Sequence, residues 1–229
     1  MGTEDTQTLS AWEERTLDLS LASARRRALG KSRRLLEAGG QLLVETDGIA
    51  FTVQDVIDRS ELSLGSFYRA FAGKDELLLA LFEEAVAYGV AIQEQLIADL
   101  TDPLEQLRAC LTWFASPRAR AGSGDTAGAR AITMLHFTLA STRPTELARA
   151  LAPQLMIFLG AVERGVASGQ IRADIPSRRL AEVLLSLASL TAHSSILQAG
   201  GLQDPDAPDD LWDFCVEGLL NRDATVPTP

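Results

Sequence analysis

The run Phe51–Leu81 (FTVQDVIDRSELSLGSFYRAFAGKDELLLAL) constrains the fold more than any other part of the chain. Thr52-Val53-Gln54-Asp55 has the spacing of a capping box, with Asp in place of the longer Glu or Gln, so a helix is predicted to start there. Val53, Val56 and Ile57 recur at i, i+3 and i+4 and give that helix one apolar face. Ser60-Glu61-Leu62 leaves room only for a corner. Ser63 is placed to cap a second short helix, in which Phe67 and Phe71 lie one turn apart and are assigned to the core. Gly73 ends it, and Lys74-Asp75-Glu76 opens a third. Two short helices joined by a tight turn form a helix-turn-helix, whose second helix fits the DNA major groove.

These residues carry a resemblance. Thr52-Val53, Leu62-Ser63, Gly65-Ser66-Phe67-Tyr68, Phe71 and Lys74-Asp75-Glu76-Leu77-Leu78 resemble the DNA-binding domain of the TetR (tetracycline-repressor-like) family. Arg34-Leu35-Leu36-Glu37-Ala38, with Leu42-Leu43 and Gly48, is similar to that family's first helix, and the likeness spans roughly residues 25–85. It implies an all-α fold: an N-terminal three-helix helix-turn-helix domain, then a C-terminal helical ligand-binding and dimerisation domain. The chain departs from the family pattern at the corner, where Glu61 replaces a residue suited to a left-handed turn. It departs again at Gly39-Gly40, each of which weakens a helix by about 1 kcal/mol.

Net charge is −10, which at first argues against a nucleic-acid partner, but its distribution reverses the argument. Residues 1–21 hold one Arg against five acids, residues 22–74 nine Lys/Arg against six acids, and residues 75–229 eleven against twenty. Positive charge falls on the helix-turn-helix and its leader (Arg25, Arg26, Arg27, Lys31, Arg33, Arg34), and the acidic remainder confines DNA contact to that face. The expected organisation is a flexible acidic arm over 1–21, the DNA-binding domain over 22–74, the helical effector-binding and dimerisation domain over 75–222, and a disordered tail over 223–229.

Past the motif, a long helix is predicted from Asp75 to about Leu100. Asp102-Pro103 starts the next, with Asp102 as N-cap and Pro103 in the first turn. Residues 117–128 read as a loop, Ala129–Ala140 as a helix, and Thr145 as the cap of a helix to about Ser168 with a kink at Pro153. Helices near 177–198 and 210–221 follow. Their apolar faces come from Leu180, Val183, Leu184, Leu187 and Leu190, and from Leu211, Trp212, Cys215 and Leu219. Cys110 and Cys215 are expected as free buried thiols. No apolar run reaches a membrane span, and the N-terminal stretch lacks the apolar segment of a secretory signal, so the expected location is cytoplasmic with no membrane partner.

The resemblance assigns roles residue by residue. The second motif helix is the reader, with Leu64, Gly65, Ser66 and Tyr68 toward the groove and Ser63 at its mouth. Leu64 also has the spacing of a core residue, three before Phe67, and its sequence position fits both placements. The basic cluster puts Arg33 and Arg34 on phosphates, and Thr52 and Lys74 stand at helix starts suited to the same contact. Arg69, the reader's one long donor, departs from the family pattern and is open to a guanine or a phosphate, the phosphate being favoured. In the second domain the resemblance implies an effector cavity, to which Leu107, Cys110, Leu111, Trp113, Phe114, Phe137 and Met156 bring apolar surface and Thr133 and His136 polarity. It also implies a homodimer through the last two helices. No His/Cys/acid cluster has metal spacing, and no nucleophile or phosphate-loop motif occurs, so no metal, cofactor or enzymatic activity is expected. The resulting expectation is a homodimeric repressor on a roughly palindromic double-stranded DNA operator, released by a small, mostly apolar effector. The alternative is a diverged relative that binds DNA weakly and acts through protein partners.

Overall fold

In the computed structural model, residues 10–46, 48–116, 127–197 and 207–221 are described, and among them the chain forms ten α-helices. These are α1 (Ala11–Glu45), α2 (Val53–Ser60), α3 (Leu64–Ala70), α4 (Lys74–Ile97), α5 (Pro103–Ala115), α6 (Ala127–Thr142), α7 (Pro144–Ala150), α8 (Ala152–Ala167), α9 (Ser177–Leu197) and α10 (Ala207–Leu219). The fold is all-α, as predicted. The chain divides into two compact units, residues 1–42 with 51–77, and residues 43–50 with 78–229.

In the first unit, local signals position α2 and α3. The capping box forms: the Thr52 N–H donates to Asp55 Oδ2 at 2.7 Å and the Asp55 N–H to Thr52 Oγ1 at 3.2 Å. The Thr52 hydroxyl also donates to Asp55 Oδ2 at 2.7 Å, and this bond first, then that from the Thr52 N–H, holds the Asp55 carboxyl below its usual range. Ser63 Oγ accepts the Ser66 N–H at 3.2 Å and caps α3. Between the caps, Glu61 ends α2 at φ 53°, ψ 33°, the only non-glycine residue with positive φ among those described. An L-residue there carries about 1 kcal/mol of strain. Glu61→Gly is therefore expected to raise first-unit stability by up to about 1 kcal/mol in chemical denaturation. The ion pair it removes, Arg34 to Glu61 at 3.7 Å, is exposed and contributes little. Leu35, Val56, Phe67 and Leu77, one from each helix, are fully buried and form the unit's centre.

Helix α1 begins at Ala11, inside the segment expected to be a flexible acidic arm over 1–21. No Gly or Pro occurs between Ala11 and Leu29, and Ala, Leu, Arg and Glu sustain the helix despite the charge. Gly39 and Gly40 lie inside α1 and do not end it. Residues 1–9 and the tail over 223–229 lie outside the described residues, as do residues 117–126 of the loop predicted over 117–128, whose last two residues, Ala127 and Gly128, instead open α6.

In the second unit, Asp102 caps α5 as predicted, its Oδ1 accepting the Leu104 N–H at 3.0 Å. The helix expected from Thr145 to Ser168 is instead two, α7 and α8, bent by 52°. Pro153 sits in the first turn of α8, where its missing N–H costs nothing, and Pro144, preceded by Arg143 and not capped by Thr145, opens α7. The core joins Leu107, Cys110 and Leu111 of α5 to Phe158 and Val162 of α8, Leu184 of α9 and Trp212 of α10. Both cysteines are buried and free, and burial pushes the Cys110 thiol up to about 12. No single helix among the described residues is long and apolar enough to cross a membrane.

The connector after α8 is stapled to the end of α10: the Arg172 N–H donates to Leu219 O at 2.9 Å and the Asn221 N–H to Gln170 O at 3.0 Å. Ile171 packs on Gly165 so closely that a Cβ there would lie 2.6 Å from Ile171 Cγ1. Gly165→Ala is expected to lower second-unit stability by about 1–3 kcal/mol, read as a shift of the denaturation midpoint.

Candidate nucleic-acid interface

Helix α3 has two different sides. Phe67 is fully buried, with ring centroids 5.4 Å from Tyr68 and 5.9 Å from Phe71. Leu64 and Tyr68 are 52% and 57% exposed, and Gly65 beside them is exposed. Leu64, left open between core and groove by its spacing, therefore belongs to the outward side. Tyr68 rests its ring edge-to-face on Phe67, which fixes its position without burying it.

The polar residues assigned to DNA divide further. Thr52, Ser63 and Arg33 are exposed. Ser66 is not: it is 6% exposed, its hydroxyl lies 3.1 Å from Ser63 Oγ, and it accepts from Arg69 Nη2 at 3.2 Å. Ser66 thus sets the posture of Ser63 and Arg69, and in the free chain it does not face outward with Leu64. Arg34 donates to Ser60 O at 2.6 Å, placing a cation at the C-terminus of α2 beside the corner. Lys74 donates through Nζ to Phe51 O at 2.5 Å and lies 4.7 Å from the centroid of that ring. Both hold the motif together, tying α1 to the α2 corner and α4 to the segment before α2. The acceptors are backbone carbonyls many residues away, so spacing alone gives no sign of these bonds.

In the second unit, Phe114, Thr133 and His136 line a cavity of about 50 Å³ with Phe82, Leu151 and Ser189. The other proposed ligand residues do not converge on it. Leu107, Cys110 and Leu111 are within the packed core, Trp113 lies against Gly89, and Met156 is 57% exposed. Phe137 packs on His193 at 3.9 Å. A pair that the sequence reading missed lies nearby: buried Gln154 donates through Nε2 to Gln93 Oε1, and Gln93 Nε2 donates to Cys110 O at 3.2 Å. Glutamines inside helices ordinarily signal a solvated face, so nothing local marks them.

His136 stacks on Phe82 at 5.7 Å, and burial first, then the charge of His193, lowers its pKa below 6.5. In the unfolded chain the imidazole titrates near 6.5. Below that pH the unfolded state binds more protons, so this contribution to stability is present above about pH 6.5 and is lost as pH falls toward the folded pKa. His136→Gln is expected to flatten the fall in melting temperature between about pH 7 and pH 5.

The last two helices correct the assignment of their faces. Leu180, Leu184, Trp212, Cys215 and Leu219 are buried within the chain, filling its own core. The residues left outward are Val183, Leu190 and Phe214, the last 73% exposed.

Residues 35–81 match the family model described as bacterial regulatory proteins, tetR family. The chain carries a TetR-family DNA-binding domain. That domain covers the last part of α1, α2, α3 and the first turns of α4. No curated protein sequence matches the chain. Among solved structures, the chain is similar to the transcriptional regulator FadR from Bacillus subtilis in complex with stearoyl-CoA. That likeness has a TM-score of 0.68 at 17% identity over 81% of this chain and 98% of that one. FadR from Bacillus halodurans gives 0.68 at 14% identity over 82% and 95%. The ketosteroid regulator KstR2 of Mycobacterium tuberculosis gives 0.55 at 18% over 83% and 96%. At these identities the likeness establishes the fold of both units: a TetR-family domain followed by a helical domain.

Proposed function

We propose that the chain is a homodimeric transcriptional repressor, held on a roughly palindromic operator by two copies of α3 and released by a small, mostly apolar ligand. The observation that carries this reading is the outward side of α3, where Leu64, Gly65 and Tyr68 stand exposed in a TetR-family domain braced from behind by Phe67. Leu64 offers an apolar contact for a thymine methyl, and Gly65 lets the backbone approach closely. Thr52, Arg33 and Arg69 supply phosphate contacts. The exposed Val183, Leu190 and Phe214 of α9 and α10 support pairing with a second copy. Pairing would set the two readers about 34–36 Å apart, one DNA turn. The stearoyl-CoA of the B. subtilis FadR complex favours a ligand with a long apolar part. Helix α4 contributes residues to both units, so a ligand-driven shift of its later turns reaches its first turn by chain continuity.

Leu64→Ala tests the reader. Stability should stay within about 0.5 kcal/mol of wild type, as for a surface residue, while base preference within each half-site changes. Unchanged preference in a selection from random duplexes would contradict the assignment.

The net charge of −10, with Lys74 and Arg34 bonded inside the motif, favours a second reading, in which DNA binding is weak and protein partners carry the function. Absence of salt-dependent binding to duplex DNA would support it.

A further inference from the structure

The TetR-family match begins at residue 35, but α1 begins at Ala11. About 36 Å of helix, at 1.5 Å per residue, therefore precedes the matched domain. Its basic face carries Arg27, Lys31 and Arg34 at i, i+4 and i+7, and this face looks across a groove of about 660 Å³ at Ser66, Arg69 and Ala70 of α3. Four cations rim the groove and no carboxylate lines it, in a chain that is acidic as a whole. Beside the cations its α1 wall includes Ala24, Ala28 and Gly30, small enough to let a strand settle close to the backbone.

The two sets of cations are held differently. Arg34 and Arg69 are fixed by their bonds to Ser60 O and Ser66 Oγ. Arg27 and Lys31 form no ion pair among the described residues, so their charge is uncompensated. The groove also adjoins the outward side of α3. Gly65 precedes Arg69 by one turn, and a Cβ on Gly65 would lie 3.5 Å from Arg69 Nη1. A polyanion lying along the exposed side of α3 therefore runs beside Arg69 and into the groove.

We propose that the α1–α3 groove is a second DNA-contact site, which takes the phosphodiester backbone flanking the segment that α3 reads, with Arg27 and Lys31 neutralising phosphates. This rests on the DNA-binding reading above and extends the protein's footprint beyond what the matched domain provides. The contact is sequence-independent and acts through release of condensed counterions.

Two double variants of the full chain separate groove contact from general charge. Arg27→Gln/Lys31→Gln removes two cations from the groove. Arg25→Gln/Arg26→Gln removes the same charge from α1 residues that do not line it. Binding to a selected operator duplex and to an unrelated duplex is measured by anisotropy from about 50 to about 200 mM salt. The groove variant should lower the salt slope by about 2 and weaken both duplexes about 10-fold or more at the low-salt end. The other pair should change the slope by less than half as much, and the preference between duplexes should persist in both. Hydroxyl-radical footprints should retract at the outer edges with the groove variant alone. Equal slopes for the two variants, or a wild-type slope for Arg27→Gln/Lys31→Gln with wild-type binding intact, would overturn the groove and leave the reader standing. Wild-type protein that binds neither duplex would overturn both.

Discussion

Phe67→Ala is expected to abolish duplex binding by unfolding the first unit, at a cost of about 3–5 kcal/mol. Phe67 is fully buried, and it is the ring against which Tyr68 and Phe71 are set. Removing it leaves a cavity in a unit of fewer than 80 residues, where a single core supplies only a few kcal/mol in total. The second unit has its own core around Phe158 and Leu111 and should persist. Hydrogen exchange read by peptide is the direct measurement: amides of α2 and α3 should lose protection while those of α5 and α8 keep theirs. Wild-type protection across α2 and α3 would show that Phe67 is not the centre of this core.

The second large effect is release by ligand. Saturating effector should weaken operator binding by roughly 100-fold, which requires about 2.7 kcal/mol of differential affinity between the DNA-competent and released states. The cavity of about 50 Å³ beside Phe82, Phe114 and His136 has room for a few waters but not for a ligand of the proposed kind. Sites for such ligands are typically about 300–1,000 Å³. On the proposed function, a ligand of that kind would have to select an expanded arrangement of the surrounding helices, and that expansion would supply the differential interaction the switch needs. Phe114→Trp adds bulk at the cavity wall. It should leave operator affinity near wild type while weakening the response to ligand by about 10-fold. A ligand that binds tightly and leaves operator affinity unchanged would refute the switch.

What was legible in the sequence was local. The Thr52–Asp55 capping box, the Ser63 cap and the Asp102-Pro103 start all depend on groups within three residues of one another, and all three form. The placing of Phe67 and Phe71 in the core followed from one-turn spacing in the same way. Leu64 has that spacing too, and only the packed domain decides its side, because a seven-residue helix offers too few turns to define a face. Arg34 and Lys74 look like phosphate ligands by charge, yet they donate to the carbonyls of Ser60 and Phe51, brought close only by the tertiary fold. The apolar residues of α9 and α10 are numerous enough to cover two faces, and composition does not say which of them faces the chain's own core. The buried Gln93–Gln154 pair was hidden for a related reason: each amide is satisfied by a partner on another helix.

Selection of genomic duplex fragments by the purified chain, with the recovered pool sequenced and binding then followed against salt, tests the central claim most directly. The account predicts enrichment of a motif with two inverted half-sites, bound with a steep negative salt slope. It also predicts loss of tight binding when five base pairs are inserted between the half-sites, which turns the second site to the opposite side of the duplex. Recovery of fragments sharing no motif, or binding that neither salt nor the insertion changes, would contradict it.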